Sequence, residues 1–278
     1  MDRTHLTTAF VLGGGGLLGA AEVGMLQALL ERGIRPDLVV GCSIGALNGV
    51  VIAADPTVAA VERLGETWRE LQTRDVFSGS VVRQISNVVS HGTYLHGNEA
   101  LRRLIDQAAP DARIEDLAVH FECVAASIEN ARAHWFKDGP VVDAVLASCA
   151  VPGLLPPVRV GDEHFMDGGL VRSVPVGRAL DLGATRVFVL HVGRIERPLV
   201  APRRPWEVAL VAFEIARRHQ FAEDLSKVPA GVDVHILPTG RDPAGTLSTR
   251  YGNTRDISLR IASARHATAA YLCNVVDP

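Results

Sequence analysis

Apolar residues in this chain cluster in short runs, separated by longer stretches with a helical period. A-F-V-L at 9–12, D-L-V-V at 37–40, H-F-E-C-V-A-A-S-I at 120–128 and T-R-V-F-V-L-H-V at 185–192 are such runs. Runs of this length without strict alternation suit strands covered on both faces, as a parallel sheet requires. V-D-V-H-I-L-P at 232–238 reads as a further strand, and R-A-H-W-F at 132–136 turns back on 120–128 through Glu129 and Asn130. Between the strands, the period predicts helices at 17–32, 44–54, 57–73, 98–109, from about 140 to Pro152, 175–182, 206–225 and 254–274. Leu64, Trp68 and Leu71 take core spacing on the helix at 57–73, and Ile257, Ile261, Ala264, Ala267 and Tyr271 share a face of the last helix. Asn98 and Ser173 are the expected caps of the helices that follow them. Residues 75–97 keep no clean period, and read either as a packed amphipathic helix at 81–89 or as a cover over a neighbouring site. Strands and helices in this order predict α/β architecture: a three-layer α/β/α fold around a mostly parallel central sheet, in one domain over residues 1–278.

Composition narrows what such a fold could do. With 278 residues, 47% of them hydrophobic, the chain can bury a sizeable core. The net charge is −3 and basic residues are scattered, so a nucleic-acid partner is not expected. Cys42, Cys123, Cys149 and Cys273 lack metal-type spacing and sit in apolar surroundings, as buried free thiols do. Residues 8–21 are uncharged and loosely imitate a leader peptide, but four consecutive glycines and Asp2 argue for strand, turn and helix instead. A cytoplasmic protein is expected, with peripheral membrane contact open to it and the oligomeric state unspecified.

The chemistry centres on G-C-S-I-G at 41–45, where a strand run meets a helical segment. Gly41 and Gly45 flank Ser43 as in a nucleophile elbow, whose sharp turn leaves the serine exposed and sets the next amide, that of Ile44, at a helix N-terminus. Gly13, Gly14, Gly15 and Gly16 end the first strand run and open the first helix, a pattern that can turn several N–H groups into one hollow. Gly14, Gly16 and Gly19 match a dinucleotide-binding spacing. The next strand, however, runs into Ser43 without presenting an acidic residue to a ribose. Two adjacent parallel strands would bring the glycine loop and the elbow to one mouth, with the loop amides facing the serine. Later in the chain, Asp167 precedes Gly168 and Gly169, either as a plain Asp-Gly turn or as a base presented on a tight loop.

Taken together, G-G-G-G-L-L-G at 13–19, G-C-S-I-G at 41–45, A-S-C-A-V-P-G-L-L-P-P at 147–157, D-G-G at 167–169 and V-P-V at 174–176 resemble the patatin-like phospholipase family. The resemblance covers residues 7–192, leaving 193–278 as helices and a strand expected to dock on the same domain. It implies Ser43 as nucleophile, Asp167 as its base, the amides of Gly14, Gly15 and Gly16 as an oxyanion hole, and hydrolysis of lipid acyl esters without metal or organic cofactor. The family usually carries Arg or Lys where this chain has Leu18, so the rim of the hole is expected to be apolar. Arg172 and Ser173 stand where it often has asparagines. A Ser-His-Asp triad would draw on His164, His191, His235 or His266, but in that architecture the elbow follows several strands rather than two. The same covalent step could also serve an acyltransferase, or the fold could act as a catalytically weak acyl-binding protein.

Overall fold

A computed structural model describes residues 7–73, 97–192, 198–240 and 257–275. The region read as a helix at 81–89 or a cover lies outside them. The strands are β1 Thr8–Leu12, β2 Leu38–Cys42, β3 His120–Ser127, β4 Arg132–Phe136, β5 Val158–Val160, β6 Glu163–Asp167, β7 Arg186–Leu190 and β8 Asp233–Ile236. The helices are α1 Ala20–Glu31, α2 Ile44–Ala54, α3 Val58–Thr73, α4 Glu99–Ala108, α5 Val141–Ser148, α6 Gly169–Arg172, α7 Val176–Asp181, α8 Pro205–Ser226 and α9 Ile257–Val275.

The eight strands among the described residues join one sheet. Its centre is parallel, in the order β3-β2-β1-β7-β8, while β4, β5 and β6 add antiparallel pairings at the β3 side. Adjacent parallel strands need crossovers, and helices fill that role between β1 and β2 and between β2 and β3. Along β1 the side chains alternate. Phe10 and Leu12 join a core with α1, α2, α3, α5 and α9, and Ala9 and Val11 join a second core with Val174, Val176, Ala179 and Phe221. Every residue of β1 and β2 is buried, which is why their sequences read as unbroken apolar runs.

Several local expectations change. The first helix opens with a 3-10 turn at Gly16–Gly19 before α1, and Gly16 enters it at φ 55°, outside the right-handed helical region. Neither Asn98 nor Ser173 makes a side-chain cap; Pro175 takes the N-cap position of α7. On α9 the buried face is Ile257, Arg260, Ile261, Ala264, Thr268 and Leu272, with Ala267 and Tyr271 only partly covered. Two polar residues on that face displace the apolar period. Cys42, Cys123 and Cys149 are buried as expected, and Cys273 is exposed.

Helices α1 and α9 pack against each other in the core, and the contact depends on Gly24. A Cβ added there would collide with the backbone oxygen of Ile261 and lie 2.7 Å from the Arg265 nitrogen. Helix propensity alone would make Gly24→Ala stabilising by about 1 kcal/mol. The collision reverses the sign, and overpacking against backbone predicts a net loss of about 1–3 kcal/mol. Urea denaturation of the variant should show a lowered midpoint; a raised one would mean that the two helices can separate at no cost.

Candidate active site

β3 has two edges and three partners. Cys123–Ser127 pair with β4, residues 120–124 pair with β2, and 125–127 pair with β6. Since β4 overlaps both of the other registers, β2 and β6 share the opposite edge, end to end. β2 runs parallel to β3 and stops with Cys42 opposite Val124; β6 runs antiparallel and stops with Asp167 opposite Ala125. The last residues of two distant strands therefore meet head to head. Ser43 is the next residue after β2.

The turn that follows β2 is tight. Ser43 has φ 54° and ψ −126°, a sparsely populated conformation for any residue with a side chain and one that costs about 1–3 kcal/mol. Gly41 and Gly45 make it sterically feasible: a Cβ at Gly41 would lie 2.6 Å from the Ala46 Cα, and one at Gly45 would strike the carbonyl of Leu12. The Ser43 N–H donates to Ser148 Oγ at 2.8 Å, and the Ser148 hydroxyl donates to the Val124 carbonyl at 2.7 Å. Ser148 thus ties the strained residue to the strand that aligns it. No local motif around Ser148 announced this; the only signal was its place in the A-S-C-A run at 147–150.

The Ser43 hydroxyl donates to Asp167 Oδ2 at 2.5 Å, and the Gly169 amide donates to Oδ1 at 2.7 Å. Both side chains are buried, with residue exposures of 7% and 4%. Backbone bonds fix the carboxylate's approach, since the Asp167 N–H donates to the Ala150 carbonyl and the Gly168 N–H to that of Ser148. Burial raises the Asp167 carboxyl to about 6, against the hydrogen bonds from Ser43 and Gly169 that favour its ionised form. Phe213 of α8 packs on Gly169, so the C-terminal part of the chain backs the carboxylate loop.

The glycine loop lies beside the elbow, as adjacent parallel strands require; a Cβ at Gly14 would be 3.4 Å from that of Ser43. The expected donor set changes in one member. The Gly14 amide donates to the Ser173 carbonyl at 2.9 Å, and is engaged. Gly15, Gly16 and Ile44 have no backbone or side-chain acceptor for their amides among the described residues. Gly16 is exposed and Gly15 partly so. Leu18 is half-buried and packs against the main core.

The described histidines do not enter this arrangement. His164 pairs with Glu129 at the surface, and His235 stacks on Phe188. His191 is buried against Phe221 with Arg217 Nη1 3.4 Å from its Nδ1; burial first, then the Arg217 charge, hold it down to about 3. Among the described residues, neither Ser43 nor Asp167 has a histidine within hydrogen-bond distance. No group of three or more His, Cys, Asp or Glu side chains among them could hold a metal ion.

Glycine loop, strained serine turn and buried aspartate follow one another in this order along the chain. The profile of patatin-like phospholipases matches residues 10–180. The chain belongs to the patatin-like phospholipase family. It is 35% identical over 194 residues to the lysophospholipase nte1 of Emericella nidulans, covering 67% of this chain and 12% of that protein. It is 33% identical over 192 residues to the human patatin-like phospholipase domain-containing protein 6, covering 68% of this chain and 14% of that one. The chain thus spans well under a fifth of these relatives' length. In fold it is similar to VipD of Legionella pneumophila, with TM-score 0.52, 15% identity, and coverage of 97% of this chain and 67% of that one.

The raised Asp167 carboxyl has a consequence for stability. Unfolded, it titrates near 3.9; folded, near 6, so the native state holds the proton more tightly. That contribution is fully present below about pH 4 and is lost as pH rises through about 6, a loss of about 3 kcal/mol at most. Asp167→Asn removes the titration. Relative to wild type, the variant should gain stability from pH 4 to about 6 and hold the gain above it, as read from urea midpoints. A difference between the two that does not vary with pH would contradict the buried-carboxyl account.

Proposed function

We propose that this chain hydrolyses carboxylic esters of lipids, with Ser43 as nucleophile and Asp167 as its general base. The observation that carries the reading is the 2.5 Å hydrogen bond between the two in a site held at the ends of two strands. Asp167 accepts the Ser43 proton as the hydroxyl oxygen attacks the ester carbonyl. The tetrahedral oxyanion is received by the amides of Gly15, Gly16 and Ile44, the last of which opens α2 and adds the positive end of its dipole. Collapse breaks the bond to the leaving alcohol, which takes the proton from Asp167. The acyl-serine is then cleaved by water that Asp167 deprotonates, with the proton returned to Ser43 Oγ. Because the acid and base work is done by one carboxyl, no histidine is needed.

The relatives are named lysophospholipase and phospholipase-domain proteins, which supports a glycerophospholipid with a single acyl chain as the first substrate class to test. No described helix is long and apolar enough to cross a membrane. Leu170, next to the Gly169 amide that holds Asp167, and Leu154, just past the Ala150 carbonyl that holds its backbone, are both exposed. Exposed apolar side chains on the two segments that hold Asp167 favour approach to a lipid surface over a soluble substrate.

Purified Ser43→Ala and Asp167→Asn proteins, assayed on a lysophospholipid and on a p-nitrophenyl acyl ester, should each lose about a thousandfold or more in kcat. In the wild type, kcat/KM should rise about tenfold per pH unit up to about pH 6 and level above it, as the base loses its proton. Hydrolysis retained by Ser43→Ala would refute the assignment.

A further inference from the structure

Behind the glycine loop lies a buried polar node that the reaction as written does not use. Asn48, on α2 and wholly buried, donates through Nδ2 to the Gly19 carbonyl at 3.1 Å and to Glu22 Oε2 at 2.7 Å. Its Oδ1 accepts the indole N–H of Trp68 at 3.0 Å. The side-chain amide has two donors and an acceptor engaged, each with a different element: the end of the 3-10 turn, α1 and α3. In an apolar core an amide engaged on every side in this way fixes one arrangement, because any shift leaves a buried donor or acceptor without a partner.

Its position gives that rigidity a purpose. Gly19 closes the turn that begins at Gly16, and a Cβ on Gly19 would lie 2.7 Å from Ile44 Cγ2, so the turn rests on the residue beside Ser43. Asn48 is on the helix that Ser43 opens. The side chain therefore bridges the segment bearing the loop amides to the segment bearing the nucleophile. We infer that Asn48 is a positioning residue, holding the amides of Gly15 and Gly16 at a fixed distance from Ser43 through the Gly19 carbonyl, with Trp68 and Glu22 holding Asn48 in turn.

Glu22 fits this role as a neutral group. It is wholly buried, its Oε1 makes no hydrogen bond, and among the described residues it has no cation at ion-pair distance. Burial raises its carboxyl well above the ordinary range, against the hydrogen bonds from Asn48 and from the Gly13 backbone. The node then needs an acceptor at this place but no charge, so glutamine should serve where leucine should not.

The inference rests on the proposed dyad, and the test separates the two. On a p-nitrophenyl acyl ester, Asn48→Ala should lose about ten- to hundredfold in kcat with KM within about threefold, since misplaced donors fail only when the oxyanion forms. The pH midpoint near 6 should stay, because Ser43 and Asp167 are untouched. Trp68→Phe, which keeps the ring and removes the N–H, should lower kcat severalfold. Glu22→Gln should keep at least half of wild-type kcat, while Glu22→Leu should lose about tenfold. If Asn48→Ala does not fold, Trp68→Phe and the Glu22 pair decide. Wild-type kcat in folded Asn48→Ala, or in both Trp68→Phe and Glu22→Leu, would overturn the inference while Ser43→Ala stays inactive. Activity in Ser43→Ala would instead overturn the dyad.

Discussion

Two strands ending head to head along one edge of β3 are the constraint on which the rest of the molecule depends. Ser43 and Asp167 are 124 positions apart, yet their side chains meet at 2.5 Å because Cys42 and Asp167 occupy successive rungs, opposite Val124 and Ala125. Ladder hydrogen bonds set that registry to a fraction of an ångström, which loops alone rarely achieve. The surrounding bonds serve the same junction. Ser148 links the Ser43 amide to the Val124 carbonyl, and the segment from Ser148 to Ala150 accepts the amides of Asp167 and Gly168. Helix α5 delivers that segment, and its burial against β3, β5 and β6 keeps it in place.

The junction is energetically unfavourable in isolation. It holds a strained serine backbone and a carboxyl whose charge burial disfavours. Both are tolerated because the flanking layers are densely apolar: every residue from Ala20 to Leu30 is buried, as are the strands on either side. Instability concentrated at a site and offset by the core is the usual relation between a reactive centre and its scaffold. In the proposed role of base, a carboxyl raised to about 6 is also the stronger proton acceptor near neutral pH, where it is ionised.

The central strands were legible in the sequence because burial on both faces leaves unbroken apolar runs, and the elbow was legible because its sterics are local to Gly41, Ser43 and Gly45. The β5–β6 pair was not. Val158–Val160 is three residues long, and Glu163–Asp167 mixes charged and apolar positions, so neither presents a buried run. The engagement of the Gly14 amide was hidden for a different reason: its acceptor, the Ser173 carbonyl, is supplied by a remote loop after α6. Nor could the face of α9 be read from apolar spacing, since Arg260 and Thr268 are buried on it. Asn48 and Glu22 are polar residues within apolar helical segments, and only tertiary contact shows them joined.

The dyad is the central claim, and the most direct measurement is the rate at which a fluorophosphonate labels the protein across about pH 4 to 9, followed by intact mass and peptide mapping. One adduct on Ser43 is predicted, with a rate that climbs about tenfold per unit below pH 6 and then levels; in Asp167→Asn the rate should collapse and lose this pH dependence. Labelling that is independent of pH, or equally fast in Asp167→Asn, would contradict it.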